Sequence, residues 1–561
     1  MVLNPALILL LGALPVPWLR GWLRAVWMLA LPVAGMVVLW SLPEGRWAVE
    51  PMFGIALEPL RIDGLSRIFA TVFHLAAFIA VIYGLNVRDT VQQVSTLAYA
   101  GAAVGGALAG DLVSFFICWE LAGLTSVFLI LARRTERAYR AGMRYLVAQV
   151  FSGLLLLAGI VLLANDGQPL TFNHIGIDSI AGWLILIAIG TKCAFPVLHA
   201  WLQDTYPEAT VLGTVVLSAF TTKLAIYALA RGYAGTDLLI WVGAAMTCFP
   251  IFYAVIENDL RRVLAYSMIN QLGFMVVGIG IGGALGVNGA AAHAFADILF
   301  KGLLFMSMGA VLLRTGTING SELGGLYKSM PQTAALCMVG AASISAFPLF
   351  SGFVTKSMIV TAVAEEHLTI VMLMLLFASA GVFHHAGIKI PFFAFFAHDR
   401  GYKVEEAPLN MRVAMLISAL LCIGIGCMPE LFYKLLPYPN AYEPYTTSHV
   451  VNQVQILLLS AMAFTVLMRT GIYPPELRSV NIDFDWFYRK AGPALWRASL
   501  AGLNRLGEGL LQPTARLAGR GGRQLLRPLH ADGRLAADWS TSTMVAVVLT
   551  LLALLLALSL A

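Results

Sequence analysis

The sequence predicts an all-α polytopic membrane protein, and three observations carry that prediction. Of 561 residues, 59% are hydrophobic and only 12% charged, with a mean hydropathy of +0.81. A water-soluble domain carries about 25% charged residues, and half that fraction cannot cover a solvated surface. The apolar runs reach about 20 residues, the length a helix needs to cross a bilayer, and lack the short alternating segments of an outer-membrane barrel. A cytosolic enzyme, a secreted domain and a disordered chain are therefore excluded. The excess of 36 Lys+Arg over 30 Asp+Glu, a net charge of +6, fits basic residues gathered in cytoplasmic loops and not a nucleic-acid partner. The six cysteines all fall inside apolar runs with no Cys-x-x-Cys pair, so no iron–sulfur site, structural metal or disulfide framework is expected.

Apolar runs of adequate length place spans near 2–18, 22–41, 63–85, 93–110, 111–132, 141–164, 180–203 and 209–233. Further spans lie near 238–257, 262–284, 289–315, 331–364, 369–397, 409–430, 450–469 and 540–560, which makes about 16 in all. The 93–132 stretch divides only at Gly110-Asp111. No basic region follows Met1, and Arg20 and Arg24 come after the first apolar run, so a retained first helix is expected in place of a cleaved signal peptide. With the N-terminus outside, the inner loops hold Arg20/Arg24, the Arg133–Arg144 cluster, Arg261/Arg262 and Arg314/Lys328. The outer loops hold Asp166/Asp178, Glu365/Glu366 and Glu430/Glu443. This parity predicts a multi-pass protein of a bacterial inner membrane with both termini on the outer side.

Residues 476–538 differ from everything before them, holding ten basic and six acidic residues. Leu495, Trp496, Leu500, Leu503, Leu506, Leu510 and Leu511 alternate with arginines at helical spacing, as expected of an amphipathic segment on the inner leaflet. Gly507, Gly509, Pro513 and Gly519/Gly521/Gly522 should break it into pieces.

Two long spans carry a proline at mid-membrane within a shared tripeptide, Ala194-Phe195-Pro196 and Ala346-Phe347-Pro348, 152 residues apart. Proline removes a backbone donor and frees carbonyls that lipid cannot satisfy. Broken helices at corresponding places in two halves are the sequence signature of transporters built from inverted repeats.

Ionisable residues inside the spans point to ion movement. Glu120, Lys192, Lys223, His293, Asp297, Lys301, Lys356, His385 and Lys389 all lie within apolar runs, where each charge costs about 2.5–3.5 kcal/mol on insertion scales. Snorkelling could excuse Lys356 or Lys389, but Glu120, Lys223 and Lys301 stand well inside their runs. Taken singly, each is also compatible with an ion pair tying helices together. As a set on so many helices they describe a proton path, with lysines and histidines whose proton affinity responds to burial and to nearby carboxylates. His293, Asp297 and Lys301 recur at i, i+4 and i+8, and His385 and Lys389 at i, i+4, each set on one helix face. No Walker A sequence, dinucleotide fingerprint or His-Glu-x-x-His is present, so no active site and no cofactor are expected of this chain.

At these residues the sequence resembles the antiporter-like membrane subunits of complex I, membrane-bound hydrogenases and Mrp cation/proton antiporters. The resembling stretches include Phe-Ile-Cys-Trp-Glu-Leu (116–121), Gly-Thr-Lys-Cys-Ala-Phe-Pro-Val-Leu-His-Ala-Trp-Leu (190–202) and Thr-Thr-Lys-Leu-Ala-Ile-Tyr (221–227). They continue in His-Ala-Phe-Ala-Asp-Ile-Leu-Phe-Lys (293–301) and Phe-Ser-Gly-Phe-Val-Thr-Lys (350–356). The resemblance implies that Glu120 and Lys192 form a coupling pair, that Lys223, His293 and Lys301 relay protons centrally, and that Lys356 releases them. His199, Asp297, His385 and Lys389 join the set as further relay groups. It also implies two inverted five-helix repeats, 93–233 and 238–397, framed by N-terminal helices (1–92) and C-terminal helices (409–470). Beyond these come the lateral segment (476–538) and a last helix (540–561). Gln203 stands where the family usually has proline, and Asp297 where relatives often have a second histidine. The Asp-Thr-Tyr-Pro-Glu stretch (204–208) and His-Ala-Gly-Ile-Lys (385–389) look closest to D-type Mrp subunits. The expected function is a proton-translocating subunit that works with homologous membrane subunits, exchanging H⁺ for Na⁺ or K⁺. The alternative is a proton-pumping subunit of a quinone oxidoreductase or hydrogenase.

Overall fold

The structure, a computed structural model, describes residues 3–47, 50–52, 55–474, 477, 481–503, 546 and 550. The chain divides into two compact units, Met1–Asn481 and Ile482–Ala561. In the first, helices α1 (Pro5–Ala13), α2 (Gly21–Ser41), α3 (Gly64–Tyr83), α4 (Thr90–Leu108), α5 (Leu112–Leu131) and α6 (Glu136–Asn165) lead to α7 (Ile180–Lys192) and α8 (Ala200–Thr205). Next come α9 (Val211–Ala219), α10 (Thr221–Gly232), α11 (Asp237–Ile256), α12 (Leu260–Ile281) and α13 (Gly283–Thr315). The series continues with α14 (Pro331–Ile344), α15 (Ser351–Glu365), α16 (Thr369–Val382), α17 (Lys389–Pro391), α18 (Leu409–Cys427), α19 (Pro429–Tyr433) and α20 (Thr447–Thr470).

Among the described residues, 11 helical stretches are long and apolar enough to cross a membrane, and α7 and α14 are shorter apolar helices. Every range predicted from 2–18 to 450–469 contains helix. The predicted last span, 540–560, lies outside the described residues apart from 546 and 550. Polar side chains begin many of these helices: Asp111 caps α5, Thr135 α6, Ser179 α7, Thr210 α9 and Asp259 α12. Each satisfies an orphaned N–H that has no partner within its own helix. Burial then ranks the helices. The α9–α10 pair, α12, α13 and α3 are enclosed almost all round, whereas α2, α6 and α20 remain largely uncovered. The enclosed helices carry Lys223, His293, Asp297 and Lys301 from the set of in-span ionisable residues.

The loop after α2 departs from pure helix. Strands Gly45–Trp47 and Leu60–Ile62 pair antiparallel, as do Glu50–Met52 and Ile55–Leu57, an element that the apolar-run reading passed over. This hairpin docks on the divide between α4 and α5. The Gly110 N–H donates to Glu58 O at 2.7 Å and the Glu58 N–H to Asp111 Oδ2 at 2.7 Å. A Cβ on Gly110 would lie 2.9 Å from Glu58 side-chain atoms, so a larger residue would push the hairpin away.

Contacts between loops sort the helix ends into two groups. In one, Arg61 donates to Phe172 O at 3.0 Å and Asn173 Oδ1 at 2.8 Å, Arg231 grips Asp63, and Asn288 Nδ2 donates to Tyr438 O at 3.0 Å. In the other, Arg133 and Arg137 pair with Glu208, Arg144 with Asp204 at 2.6 Å, and Lys328 with Asp399 at 2.7 Å. The arginine cluster that loop charge assigned to one side thus meets the carboxylates of the 204–208 stretch.

In the second unit, residues 485–503 are helical, with an ion pair from Arg489 to Asp485 at 3.1 Å. Leu495, Trp496 and Leu503 are exposed there. The remainder of the amphipathic segment, 504–538, lies outside the described residues.

Asp63 locks two helices together at their ends. It caps α3, accepting from the Ser66 N–H at 2.9 Å while Ser66 Oγ accepts from the Asp63 N–H at 2.8 Å. Arg231, in the last turn of α10, donates to both its oxygens at 2.7 and 2.8 Å. Partial burial alone would raise this carboxyl group's pKa, but the Arg231 bonds and charge outweigh it and hold the pKa at about 2. A depressed carboxylate contributes stability that is full above its unfolded value of about 3.9 and is lost as pH falls through the folded one. Asp63→Asn keeps a good N-cap but removes the charge and one of the two oxygens that accept from Arg231. Thermal melts of the detergent-solubilised protein should show it less stable by about 2 kcal/mol at pH 7. That gap should shrink steadily as the pH drops from about 4 toward 2; a gap of constant size over that window would contradict the ion-pair account.

Candidate functional site

Both predicted breaks adopt one backbone conformation. Ala194 and Val197 have φ of 61° and 75°, and Ala346 and Leu349 have φ of 56° and 74°. Left-handed geometry costs roughly 1–3 kcal/mol per non-glycine residue, so the surrounding packing must hold it. The Phe195 N–H donates to Gly190 O at 2.9 Å and the Phe347 N–H to Ala342 O at 3.0 Å, the same reversal that ends a helix in a Schellman turn. The carbonyls left over find side-chain donors. Trp201 Nε1 donates to Thr191 O at 2.8 Å, and Gln453 Nε2 to Ser345 O at 3.1 Å. A third break, at Phe220 between α9 and α10, needs no proline: Phe220 has φ −107° and ψ −62°.

Three buried lysines near the helix breaks sit on backbone carbonyls. Lys223 Nζ donates to Ser218 O at 3.1 Å, just before the Phe220 break. Lys356 Nζ donates to Ile344 O at 3.3 Å, whose usual helical partner four residues on is Pro348 and has no N–H. Lys192, in the last turn of α7 where a cation is favoured, donates to Trp119 O at 2.7 Å. Aromatic faces complete two of these seats: Lys192 Nζ lies 4.1 Å from the Trp119 ring centroid and Lys356 Nζ 4.7 Å from that of Phe274, both within cation–π range.

The centre of the line is an ion pair. Lys223 Nζ lies 2.6 Å from Asp297 Oδ2, and both side chains are fully buried. On the same face of α13, His293 stands between Thr355 Oγ1 and Gln271 Oε1, each 3.0 Å from a ring nitrogen. Lys301 Nζ donates to Ser267 Oγ at 2.8 Å. The polar line continues through Gln271 Nε2 to Asn270 Oδ1 at 2.8 Å. An imidazole partnered on both nitrogens can accept a proton on one side and release it from the other.

The remaining predicted residues occupy different settings. Among the described residues no ion pair joins Glu120 to Lys192; their charges act on each other at longer range. Glu120 Oε1 is buried without a hydrogen-bond partner, in space kept open by Gly153, where a Cβ would come within 1.7 Å of it. His385 is fully buried in a π-helical turn, Phe383–Ile388, a distortion frequent at functional sites. Lys389 donates to Val255 O at 2.6 Å and Glu257 O at 2.7 Å, a cation capping the C-terminal end of α11. His199 is buried against the Phe249 ring, with centroids 4.7 Å apart. Gln203, at the family's usual proline position, is buried as well.

Sequence reasoning missed the partners of these charges: Trp119, Ser267, Asn270, Gln271 and Thr355. A signal for three of them was present, since Ser267, Asn270 and Gln271 stand at i, i+3 and i+4 in an otherwise apolar span and so share a helix face. Among the described residues no cluster of His, Cys, Asp and Glu could hold a metal ion.

Residues 109–384 match the family described as NADH:quinone oxidoreductase/Mrp antiporter, transmembrane. The chain is 26% identical to hydrogenase-4 component B of Escherichia coli, over 82% of this chain and 78% of that protein. It is 27% identical to Na⁺/H⁺ antiporter subunit A1 of Staphylococcus haemolyticus, over 80% of this chain but only 63% of the longer relative. Solved structures share its fold. A chain of an archaeal membrane-bound sulfane sulfur reductase aligns with a TM-score of 0.71 at 23% identity, covering 99% of both chains. A chain of the Dietzia Mrp complex aligns at 0.66 and 20% identity, covering 82% of this chain and 95% of that one. A chain of Thermus thermophilus complex I aligns at 0.68 and 21%, covering 78% and 100%. By motif and by the match over residues 109–384, the chain belongs to the NADH:quinone oxidoreductase/Mrp antiporter transmembrane family, and it shares the helical fold of the aligned chains.

Proposed function

We propose that this chain is the proton-translocating D-type subunit of an Mrp-type cation/proton antiporter, set in a bacterial inner membrane beside homologous subunits. The observation that carries the reading is the buried Lys223–Asp297 pair placed at a helix break, with His293, Lys301 and Lys356 held on the helices around it. Desolvated charges on so many helices are too costly to be packing alone. Protons would enter toward Glu120 and Lys192, pass Lys223, Asp297, His293 and Lys301, and leave at Lys356, with His199, His385 and Lys389 as relay or anchoring groups. The matched break conformations at Ala194 and Ala346 support two inverted repeats, 93–233 and 238–397. The loop grouping supports a topology in which the Arg133–Arg144 face is cytoplasmic. The exchanged cation would be Na⁺ or K⁺.

The second reading is a proton-pumping subunit of a redox complex, an NADH:quinone oxidoreductase or a membrane-bound hydrogenase. It is favoured by the likeness to hydrogenase-4 component B and by the end-to-end alignment with the sulfane sulfur reductase chain. Copurification separates the two. Small hydrophobic subunits without redox centres support the antiporter, and hydrophilic iron–sulfur subunits support the redox complex.

Glu120→Ala and Lys223→Ala, each in the assembled complex, should abolish ΔpH-coupled transport in everted vesicles while subunit composition stays unchanged. Full transport in both variants would remove the proposed axis. For the central pair, Asp297→Asn leaves a buried ammonium without its counter-charge and should cost about 3 kcal/mol of stability. The double variant Lys223→Met/Asp297→Leu should recover most of that loss in thermal melts yet remain unable to move protons. A double variant that still pumps would make the pair a structural tie only.

A further inference from the structure

The cavity that opens at Lys356 is walled by a helix beyond the family match, which ends at residue 384. Its volume is about 310 Å³, far more than the ~10–15 Å³ a single water needs. Lys356 is buried at its inner end, next to Ala346 of the second break. Ser357 and Thr361 follow Lys356 along one side of α15, and His449, Asn452 and Gln453 face them from α20.

Polar groups run from this floor toward the end of α20. Gln453 is tied to the break through Ser345 O at 3.1 Å. Thr361 Oγ1 donates to Tyr442 OH at 3.4 Å, and Tyr442 OH lies 3.4 Å from His449 Nδ1. His449 stands in the first turn of α20, beside its N-cap Thr446. Among the described residues no carboxylate lines the cavity. It therefore offers hydroxyls, amides and an imidazole, which suit water and a moving proton, but not the anionic oxygens that usually bind a hard cation.

The geometry points to this cavity as a water-filled proton outlet, with α20 as its wall and Tyr442 and His449 at its mouth. The inference rests on the proposed release of protons at Lys356 and adds α20 to the pathway. A proton leaving the Lys356 ammonium passes to cavity water, and an equivalent proton leaves the mouth through water or the His449 ring.

The test uses Asn452→Cys in the assembled complex in right-side-out vesicles, treated with a membrane-impermeant cationic methanethiosulfonate. The parent complex and Leu458→Cys, on an exposed part of α20, are treated in parallel. We expect residue 452 to be labelled from the outer side and proton flux to fall at least tenfold relative to the unlabelled variant, with both controls unchanged. Absence of labelling, or labelling at full flux in a complex whose parent moves protons, overturns the outlet alone. A parent complex that moves no protons overturns the proposed function, and the outlet with it.

Discussion

A helix that breaks inside a membrane leaves carbonyl groups that neither lipid nor its own backbone can satisfy, and a lysine buried there leaves an ammonium in the same difficulty. In this protein each problem answers the other. Lys356 donates to the carbonyl that Pro348 deprives of its partner, and Lys223 donates to Ser218 O beside the Phe220 break. A carbonyl dipole holds a cation less firmly than a carboxylate does, because it carries only a partial charge. A lysine seated this way is solvated enough to exist in the core, yet its proton is not locked in place.

Lys223 differs from the others because it also touches Asp297. A fully buried ion pair is weak evidence for stability, since desolvation offsets much of its Coulombic gain. Its placement beside the Phe220 break, where it joins α10 to α13, suits the proposed role of a point where charge arriving from one side alters the other. Neutralising either partner leaves its mate exposed to low dielectric. The Thr355–His293–Gln271–Asn270 line extends that sensitivity across α12, α13 and α15. Glu120 stands apart from this network, without an ion-pair partner among the described residues, in a slot kept free by Gly153. Its carboxylate fills the room that Gly153 leaves, and no ion pair fixes its distance to Lys192 as one fixes Lys223 to Asp297.

The apolar runs and the two Ala-Phe-Pro sites were legible in the sequence because bilayer thickness and the missing proline N–H act locally. Polar caps such as Asp111 and Thr210 are local too, but the apolar runs by themselves did not name them. The hairpin at 45–62 escaped because its strands are only three residues long and are fixed by docking on Gly110–Asp111. The Phe220 break escaped because no proline or glycine marks it.

By itself the sequence determined the class, the apolar helical runs and which ionisable residues lie inside them, since the price of a charge in hydrocarbon depends on span position alone. Only the tertiary structure decided which charges meet. It paired Lys223 with Asp297 and not Glu120 with Lys192, turned Lys389 onto the end of α11, and brought α20 over Lys356. Such choices depend on how helices far apart in the chain pack together, and no local pattern encodes that distance.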